Sequence, residues 1–250
     1  MLTGGGAQDP GMARDLYETE PVFAEWMDRG LDHLQARLDY DIRAVWLPDP
    51  GDHAAAEAQL RQPSVQLPLI MIAEYALAQL WLSWGVRPAA LIGHSMGENT
   101  AAAVAGVIGF EDCIDLVLLR GRLFDTVPAG GMLGVGLPTD ELAAVIGNDL
   151  DIASVNAADF CTVSGPTERL DALRGQLEAR GIDCQPVNID IAAHSRMLDP
   201  VLPEFRAFLA GLDLAAPRIP FVSNRTGDWI THGQTTDPDY WVGQLRNTVQ

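Results

Sequence analysis

The sequence predicts an α/β protein with a small domain inserted into its body. An apolar run at residues 89–92 leads through a glycine-rich turn into an alanine-rich helical pattern, as a buried parallel strand followed by a helix would. From about Gly131 short strands alternate with helices in the order β-α-β-β-α-β, which is the arrangement of a ferredoxin-like domain. With 250 residues, 48% of them hydrophobic, the chain can bury a substantial core.

The predicted body begins with a strand at residues 1–3 that ends at the glycine loop 4–6. Its longest element is an apolar helix over 67–84, with Pro68 in the first turn and Gly85 at its end. The other predicted elements of the body are a helical pattern over 16–26, a turn at 48–51, the strand 89–92, helices over 101–107, 112–123 and 201–212, and a strand over 219–223, after which a turn-rich stretch leads into residues 240–250.

The insertion is predicted at residues 128–190, so that 1–127 and 191–250 together form the body. Its predicted elements are, in order, a strand over 132–137, a helix over 139–146, strands over 152–155 and 161–164, an amphipathic helix over 168–180 and a closing strand over 184–189.

Charge and composition exclude several classes of function. The 16 basic and 34 acidic residues leave a net charge of −18, which makes nucleic acid a poor partner because phosphate binding needs clustered cations. All 16 basic residues are arginine. The absence of lysine excludes Schiff-base chemistry and the lysine-bearing phosphate loop of nucleotide hydrolases.

Cysteine and histidine usage predicts no metal site and a cytoplasmic protein. The three cysteines are an odd number without paired spacing, which indicates buried thiols in a reducing compartment rather than disulfides or a zinc site. His33, His53 and His232 lie in polar, turn-like contexts and are expected at the surface. The apolar stretch 67–84 carries Glu74 and Gln79, so a buried helix is predicted rather than a membrane span.

Residues 93–97, with the sequence Gly-His-Ser-Met-Gly, form a G-x-S-x-G motif between a predicted strand and a predicted helix. In that context the serine lies at a sharp, strained turn with its hydroxyl exposed and a helix N-terminus behind it. The alternative is a glycine-rich loop with an incidental serine. The context favours Ser95 as a nucleophile.

A serine hydroxyl needs a base to take its proton, and histidine is the usual one. His94 is adjacent to Ser95 and is expected to point elsewhere, in a structural role. His194 follows the insertion, in the sequence Ala-Ala-His-Ser. Taken alone, a histidine beside small apolar residues is more often a hydrogen-bonded core residue than a catalytic base.

Two further features leave alternatives open. Arg120 follows Ser95 by twenty-five residues and could be a solvated helix charge, or could enter a pocket beside Gly121 and bind a carboxylate with its planar fork. The loop Gly4-Gly5-Gly6-Ala7-Gln8 could be a flexible tail, or could offer backbone N–H groups to an oxyanion.

Together these motifs resemble the acyltransferase domain of modular type I polyketide synthases, which is related to the malonyl-CoA:acyl-carrier-protein transacylases of fatty acid synthesis. The resemblance rests on Gly-His-Ser-Met-Gly-Glu, the arginine twenty-five residues further on, the glycine loop with Gln8, and Ala-Ala-His-Ser, and it spans nearly the whole chain. It implies an α/β-hydrolase-like body with a ferredoxin-like insertion. It also implies that the chain is a segment of a larger multidomain synthase.

The resemblance implies a role for each matching residue. Ser95 matches the nucleophile, His194 its base, and Arg120 the residue that pairs with the free carboxylate of a malonyl-type extender unit. The backbone N–H groups of Gly5 and Met96 match the oxyanion hole. The one remaining match is the residue whose backbone carbonyl orients the histidine, and this is Gln244.

The implied reaction is ping-pong. An acyl-CoA loads the serine, and the phosphopantetheine thiol of an acyl carrier protein then takes the acyl group. The implied substrate is acyl-CoA, the implied partners are the carrier protein and neighbouring synthase domains, and no bound cofactor, metal, nucleic acid or membrane is implied.

This chain departs from the family pattern in ways that affect the pocket. Gly5 replaces the usual glutamine, which leaves a backbone donor, and Asn99 replaces the usual aromatic residue. The segment Ile191-Ala192-Ala193-His194 matches neither the malonyl nor the methylmalonyl pattern. Small Ala193 leaves room for an α-methyl group, whereas apolar Met96 occupies a position where methylmalonyl enzymes tend to have glutamine. Malonyl is slightly favoured, with methylmalonyl as the alternative.

Two other classes of function remain open on the sequence. A serine hydrolase of the α/β-hydrolase class would need an acidic residue between serine and histidine in the chain, for which Asp125 or Asp140 could serve. It would give Arg120 no role. The second class is a catalytically silent domain that serves as a carrier-docking scaffold, against which the intact Ser95 and His194 argue.

Overall fold

The computed structural model describes residues 1–187 and 189–250. Its first elements are the helices α1 (Arg14–Thr19), α2 (Pro21–Gln35), α3 (Ile42–Trp46), α4 (His53–Gln59) and α5 (Pro63–Ser83), the strand β1 (Leu91–Ile92) and the helices α6 (Met96–Ala105) and α7 (Phe110–Phe124). Then come β2 (Gly131–Val135), α8 (Thr139–Ala143), β3 (Asp151–Ala157), β4 (Phe160–Gly165), α9 (Thr167–Glu178) and β5 (Cys184–Pro186). The chain continues with a 3₁₀ helix (Arg196–Val201), α10 (Leu202–Leu209), β6 (Phe221–Val222), α11 (His232–Thr235) and α12 (Pro238–Arg246).

Helix α5 is the centre of the body and packs against α2, α6 and α7. The predicted position of Pro68 in its first turn is wrong: the helix begins at Pro63, and Pro68 lies inside it. Pro63 takes the first helical position because its fixed φ suits that place and its missing N–H would be unpaired there anyway. Among the described residues, α5 is the one helix long and apolar enough to cross a membrane, and 61% of its most apolar window is buried in the fold.

The predicted parallel strand pairing is present in the body. Strand β1 pairs in parallel with β6, with Leu91 opposite Phe221, and Leu2 forms a further parallel bridge to Gly93. The strand predicted at residues 1–3 is therefore reduced to this one bridge. Because Leu2 lies beside Gly93, the glycine loop that follows Leu2 is brought next to the turn that carries Ser95.

Residues 131–186 form a second sheet of four antiparallel strands in the order β3-β4-β2-β5. Its strands and the helices α8 and α9 follow one another as β-α-β-β-α-β, as the sequence predicts. The sheet has its own apolar cluster, which includes Leu133, Val163 and Leu173. The closing strand predicted over 184–189 ends at Pro186, and Asn188 lies outside the described residues.

Helix α12 ends at Arg246, and the residues after it pair with the second sheet. Val249 forms a parallel bridge with Ser154 of β3, and its carbonyl accepts a hydrogen bond from the N–H of Val155. The Thr248 hydroxyl donates to the carbonyl of Ile152 at 2.7 Å. These contacts fix the second sheet against the body beside residues 240–247.

Candidate active site

Ser95 lies at a strained turn between β1 and α6, as the motif predicts. Its φ of 55° and ψ of −115° are unusual for a residue with a side chain. Two side-chain amides hold this backbone: Asn224 Oδ1 accepts from the Ser95 N–H at 2.8 Å, and Gln244 Nε2 donates to the Ser95 carbonyl at 2.6 Å. Asn224 also donates to the Gly93 carbonyl at 2.7 Å. The turn is thus held at three points.

The glycines on both sides of Ser95 are required by close backbone approach. A Cβ at Gly93 would lie 2.2 Å from the carbonyl carbon of Gly97, and one at Gly97 would lie 2.4 Å from the carbonyl oxygens of Leu2 and Thr3. Neither distance leaves room for a side chain. The motif therefore packs the first residues of the chain, the turn and the start of α6 into direct contact.

Gly97→Ala is expected to lower the free energy of unfolding by more than about 3 kcal/mol, because the new methyl group meets backbone atoms that cannot rotate away. Urea unfolding followed by circular dichroism measures this. The matched control is Gly175→Ala in α9, where a Cβ has nothing within 4 Å and helix propensity predicts a gain of about 0.5–1 kcal/mol. Equal stabilities for the two variants would contradict the packing at Gly97.

His194 is brought to Ser95 from ninety-nine residues away. Its Nε2 lies 2.6 Å from the Ser95 Oγ, and the ring is almost fully buried. Burial and, after it, the positive charge of nearby Arg120 lower the pKa of His194 to about 3. The imidazole is therefore neutral near pH 7 and able to accept the serine proton.

His94 points away from the serine hydroxyl, in agreement with its predicted structural role. Its Nε2 lies 3.1 Å from Asn156 Oδ1 on β3, and Asn156 in turn donates to the Thr162 hydroxyl at 3.1 Å. The residue before the serine therefore connects the turn to the second sheet.

The other ring nitrogen of His194 has no hydrogen bond in the described part of the chain. The backbones of Asn247 and Gln244 nevertheless lie beside the ring and oppose the lowering of the histidine pKa, so the orienting role of the Gln244 carbonyl stays a prediction. The side chain of Gln244 donates to the Ser95 carbonyl. The acidic residues considered for a hydrolase triad, Asp125 and Asp140, are both exposed.

The low pKa of His194 predicts a pH-dependent stability. An unfolded imidazole titrates near pH 6.5, so between about pH 6.5 and 3 the unfolded chain binds a proton that the folded chain does not. Relative to His194→Gln, the wild type should therefore lose about 1.4 kcal/mol per pH unit as the pH falls below 6.5. Urea unfolding at pH 7, 6 and 5 measures this difference.

Comparison with His194→Gln is needed because titration of Glu98 changes the free energy of unfolding with pH in the opposite direction. Burial raises the pKa of Glu98 to about 7, so its stabilising proton is lost as the pH rises from about 4.5 to 7. Both proteins share that contribution, and subtraction removes it. Parallel stability curves for the two proteins would show that His194 is not buried as a neutral base.

Arg120 lies on α7 and is buried, so its interpretation as a solvated helix charge is wrong. Its Nη2 donates to the Ser95 Oγ at 2.9 Å and its Nη1 to Asn99 Oδ1 at 3.1 Å. The guanidinium also lies 5.4 Å from the Phe124 ring centroid. Gly121 permits this position, because a Cβ there would lie 2.5 Å from the backbone of Ser64 on α5.

Arg120 has no carboxylate within ion-pair distance among the described residues, and its Nε has no hydrogen-bond partner there. Burial lowers its pKa to about 10, while the charge of Glu98 opposes that shift. The group remains cationic at neutral pH. A buried cation without an anionic partner is costly, and an anion supplied by a ligand would remove that cost.

Gly5 and Met96, the residues predicted to form an oxyanion hole, lie at the cavity. Both line the cavity beside Ser95, and no hydrogen bond among the described residues uses the N–H of either. Met96 is also the first residue of α6, so its N–H carries the partial positive charge of a helix N-terminus. Its side chain is buried.

The cavity above Ser95 has a volume of about 190 Å³. That is smaller than the roughly 300–1,000 Å³ of a drug-sized pocket, so it suits an acyl group better than a whole coenzyme. One wall is apolar and includes the three residues predicted to set extender specificity; it is formed by Met96, Phe124, Met132, Ile189, Ile191 and Ala193. Arg120 and His194 provide the polar side.

A buried network beneath the serine was not predicted. The Glu98 carboxylate accepts from the Tyr240 hydroxyl and, at 3.2 Å, from the N–H of Asn224. The Tyr240 hydroxyl also lies 2.7 Å from that of Ser223. This network holds Asn224, which holds the serine turn. In the part of the chain that the structure describes, no group of three His, Cys, Asp or Glu residues could bind a metal ion.

The chain belongs to the acyl transferase domain family, whose model matches residues 1–250. It is 36% identical over 250 residues to a component of the phenolphthiocerol/phthiocerol polyketide synthase of Mycobacterium tuberculosis, covering all of this chain and 16% of that relative. The chain thus spans about a sixth of the length of the curated relatives first matched.

Two solved structures are similar over the whole chain. The acyl transferase domain of SpnD, in complex with 2-(pent-4-yn-1-yl)malonyl, is 38% identical with a TM-score of 0.90, and 59% of it is covered. An acyl carrier protein S-malonyltransferase from Vibrio cholerae is 28% identical with a TM-score of 0.85, and 81% of it is covered. The α/β architecture, with one parallel and one antiparallel sheet, is therefore that of acyl transferase domains.

Proposed function

We propose that this chain is the acyltransferase that loads a malonyl-type extender unit from coenzyme A onto Ser95. It then passes the unit to the phosphopantetheine thiol of an acyl carrier protein in polyketide or fatty acid synthesis. The observation that carries this proposal is Arg120, a buried cation without a carboxylate partner among the described residues, 2.9 Å from the Ser95 hydroxyl. An acyl group that ends in a carboxylate supplies the missing anion at the reacting serine.

In the first half-reaction, neutral His194 takes the proton from the Ser95 Oγ as that oxygen attacks the thioester carbonyl. The carbonyl oxygen becomes an oxyanion, which the N–H groups of Gly5 and Met96 stabilise. The intermediate collapses by breaking the carbon–sulfur bond. His194 returns its proton to the leaving thiolate, which departs as coenzyme A, and the malonyl ester remains on Ser95.

The second half-reaction runs the same steps with a different thiol. His194 takes the proton of the phosphopantetheine thiol, the sulfur attacks the ester carbonyl, and the carbon–oxygen bond to Ser95 breaks. The proton returns to the Ser95 Oγ. The reaction is therefore ping-pong, with a Ser–His dyad and no acidic third member. Acyl-CoA is a substrate in this scheme, and neither a bound cofactor nor a metal takes part.

The extender unit is proposed to be malonyl, with methylmalonyl as the alternative. Met96, Ile191 and Ala193 would form the wall that meets the α-carbon of the substrate. One methyl group in an apolar pocket is worth only about 1–3 kcal/mol, so small changes in this wall decide the preference. The SpnD relative, which holds a malonyl with a five-carbon substituent, supports a wall that varies within the family.

The partners proposed are an acyl carrier protein and the neighbouring domains of a synthase, in the cytoplasm. With a net charge of −18 this chain would repel any carrier protein that is also acidic, so tethering within one synthase would supply the effective concentration that docking needs. We also propose that residues 128–190 are a ferredoxin-like insertion between two parts, 1–127 and 191–250, of an α/β-hydrolase-like body. The strand order β3-β4-β2-β5 supports this.

The proposal is tested with equal concentrations of malonyl-CoA and methylmalonyl-CoA, followed by a carrier protein that bears phosphopantetheine. Intact mass of the enzyme should show a malonyl ester, and the mass should move to the carrier once that is added. A methylmalonyl ester would show that the extender unit is methylmalonyl, the alternative, and not malonyl. Steady release of free acid without transfer would indicate a hydrolase, and no acyl-enzyme would indicate a silent domain.

A further inference from the structure

Asn99 lies one helical turn after Ser95 on α6, and both side chains contact the guanidinium of Arg120. Side chains four residues apart on a helix share one face. The guanidinium bridges them: Nη1 donates to Asn99 Oδ1 at 3.1 Å and Nη2 to the Ser95 Oγ at 2.9 Å. Asn99 is 1% exposed, so this hydrogen bond is shielded from water.

The contact with Asn99 determines which edge of Arg120 is free. Nη1 is occupied by the asparagine, whereas Nε has no partner among the described residues. Nε and Nη2 lie on one edge of the planar guanidinium group. A carboxylate binds such an edge with two parallel hydrogen bonds. Nη2 contacts the serine hydroxyl at the cavity, whereas Nε is buried, so a carboxylate beside the reacting atom meets this edge from its Nη2 end.

An asparagine occupies Nη1 of Arg120 without neutralising the cation. Its amide oxygen accepts the Nη1 hydrogen bond but adds no negative charge, so the charge of Arg120 remains available to a ligand. The acidic neighbour is Glu98, which is itself hydrogen-bonded by Tyr240 and Asn224, and whose pKa burial raises to about 7. An aspartate at position 99 would compete with the substrate carboxylate, and an apolar residue would leave Nη1 unpaired.

We propose that Asn99 is a positioning residue that holds Arg120 with its Nη2 at the cavity beside Ser95 and so makes the enzyme selective for acyl groups that end in a carboxylate. This inference rests on the proposed function. The family usually has an aromatic residue at this position. The contact that positions the arginine is therefore expected only in chains that have an amide side chain there.

The test compares loading by malonyl-CoA, which has the carboxylate, with loading by acetyl-CoA, which lacks it. Asn99→Leu should raise the KM for malonyl-CoA about tenfold or more, because a hydrogen bond to a charged group is lost, and should change acetyl-CoA loading less than about threefold. Asn99→Asp, which is isosteric, should lower the malonyl-to-acetyl ratio more strongly than leucine does, because its charge neutralises Arg120.

Thr235→Val is the matched control, because Thr235 is equally buried and its hydroxyl donates to the carbonyl of His232 in α11. It should leave the malonyl-to-acetyl ratio unchanged. Equal losses with both acyl-CoAs in the Asn99 variants would overturn the proposal, because a purely structural role predicts them. Unchanged malonyl kinetics in both variants would overturn it as well. If Asn99→Leu does not fold, the isosteric aspartate variant decides alone.

A binding measurement separates this inference from the proposed function. Free malonate should raise the melting temperature of the wild type and should do so less in Asn99→Leu. If the wild type formed no acyl-enzyme but this difference in malonate binding appeared, the role of Asn99 would stand and the proposed function would fail. If loading succeeded while both proteins bound malonate equally, the role of Asn99 would fail and the proposed function would stand.

Discussion

Replacing Ser95 by alanine is expected to lower the rate of acyl-enzyme formation by more than about 10⁴-fold. Removal of a catalytic serine leaves only the rate enhancement that the oxyanion hole and substrate binding supply. The Ser95 Oγ is the atom on which His194 Nε2 and Arg120 Nη2 converge, at 2.6 and 2.9 Å, so its removal takes away the hydroxyl that the base contacts. Rapid-quench incubation with malonyl-CoA, read by intact mass, measures the rate.

The matched control for Ser95→Ala is Ser83→Ala at the end of α5. The Ser83 hydroxyl donates to the carbonyl of Leu80, and the residue is exposed and does not line the cavity. This variant should load malonyl at the wild-type rate. Loading of Ser95→Ala at more than a few per cent of that rate would mean that another side chain takes the acyl group, and the proposed nucleophile would be wrong.

The second large effect is expected at Arg120. Arg120→Gln should lower kcat/KM for malonyl-CoA by about 10²–10³-fold, because breaking a buried pair of charges costs about 3–5 kcal/mol. Acetyl-CoA makes no such pair, so its loading should fall much less or should rise. The variant should also be at least as stable as the wild type, since it removes a buried cation that has no anionic partner among the described residues.

Arg122→Gln is the control for Arg120→Gln, because Arg122 lies two residues further along the same helix and is exposed. It removes one positive charge without touching the cavity, and malonyl loading should remain at the wild-type level. Equal effects of the two substitutions would mean that the loss of malonyl loading results from the change in net charge. Equal losses with malonyl-CoA and acetyl-CoA in Arg120→Gln would remove its role in carboxylate recognition.

Much of this arrangement could be predicted from local sequence patterns. The G-x-S-x-G motif places Ser95 because two glycines around a serine, between an apolar strand and a helix, permit a turn that few other sequences allow. The order of elements from β2 to β5 follows from alternation and periodicity. The catalytic role of His194 and the substrate-binding role of Arg120 were predicted from the resemblance to acyltransferases. Composition alone would have assigned His194 to the core and Arg120 to the surface.

The remaining features depend on contacts between distant parts of the chain. Glu98 and Asn224 are 126 residues apart, and Gln244 lies 149 residues from the Ser95 carbonyl that its side chain contacts. No periodicity or spacing signals such hydrogen bonds. The bridge between Val249 and Ser154 of β3 likewise joins residues far apart in the chain. Asn99 was noticed only as a departure from the family pattern.

The central claim is that Ser95 carries a malonyl-type acyl group during turnover. The most direct measurement is to quench the wild type seconds after malonyl-CoA is added, digest it, and identify the acylated peptide by tandem mass spectrometry. We predict a malonyl ester on Ser95 that disappears when a carrier protein with phosphopantetheine is added before the quench. An acyl group on any other residue, or an unmodified Ser95 while the carrier becomes acylated, would contradict the account.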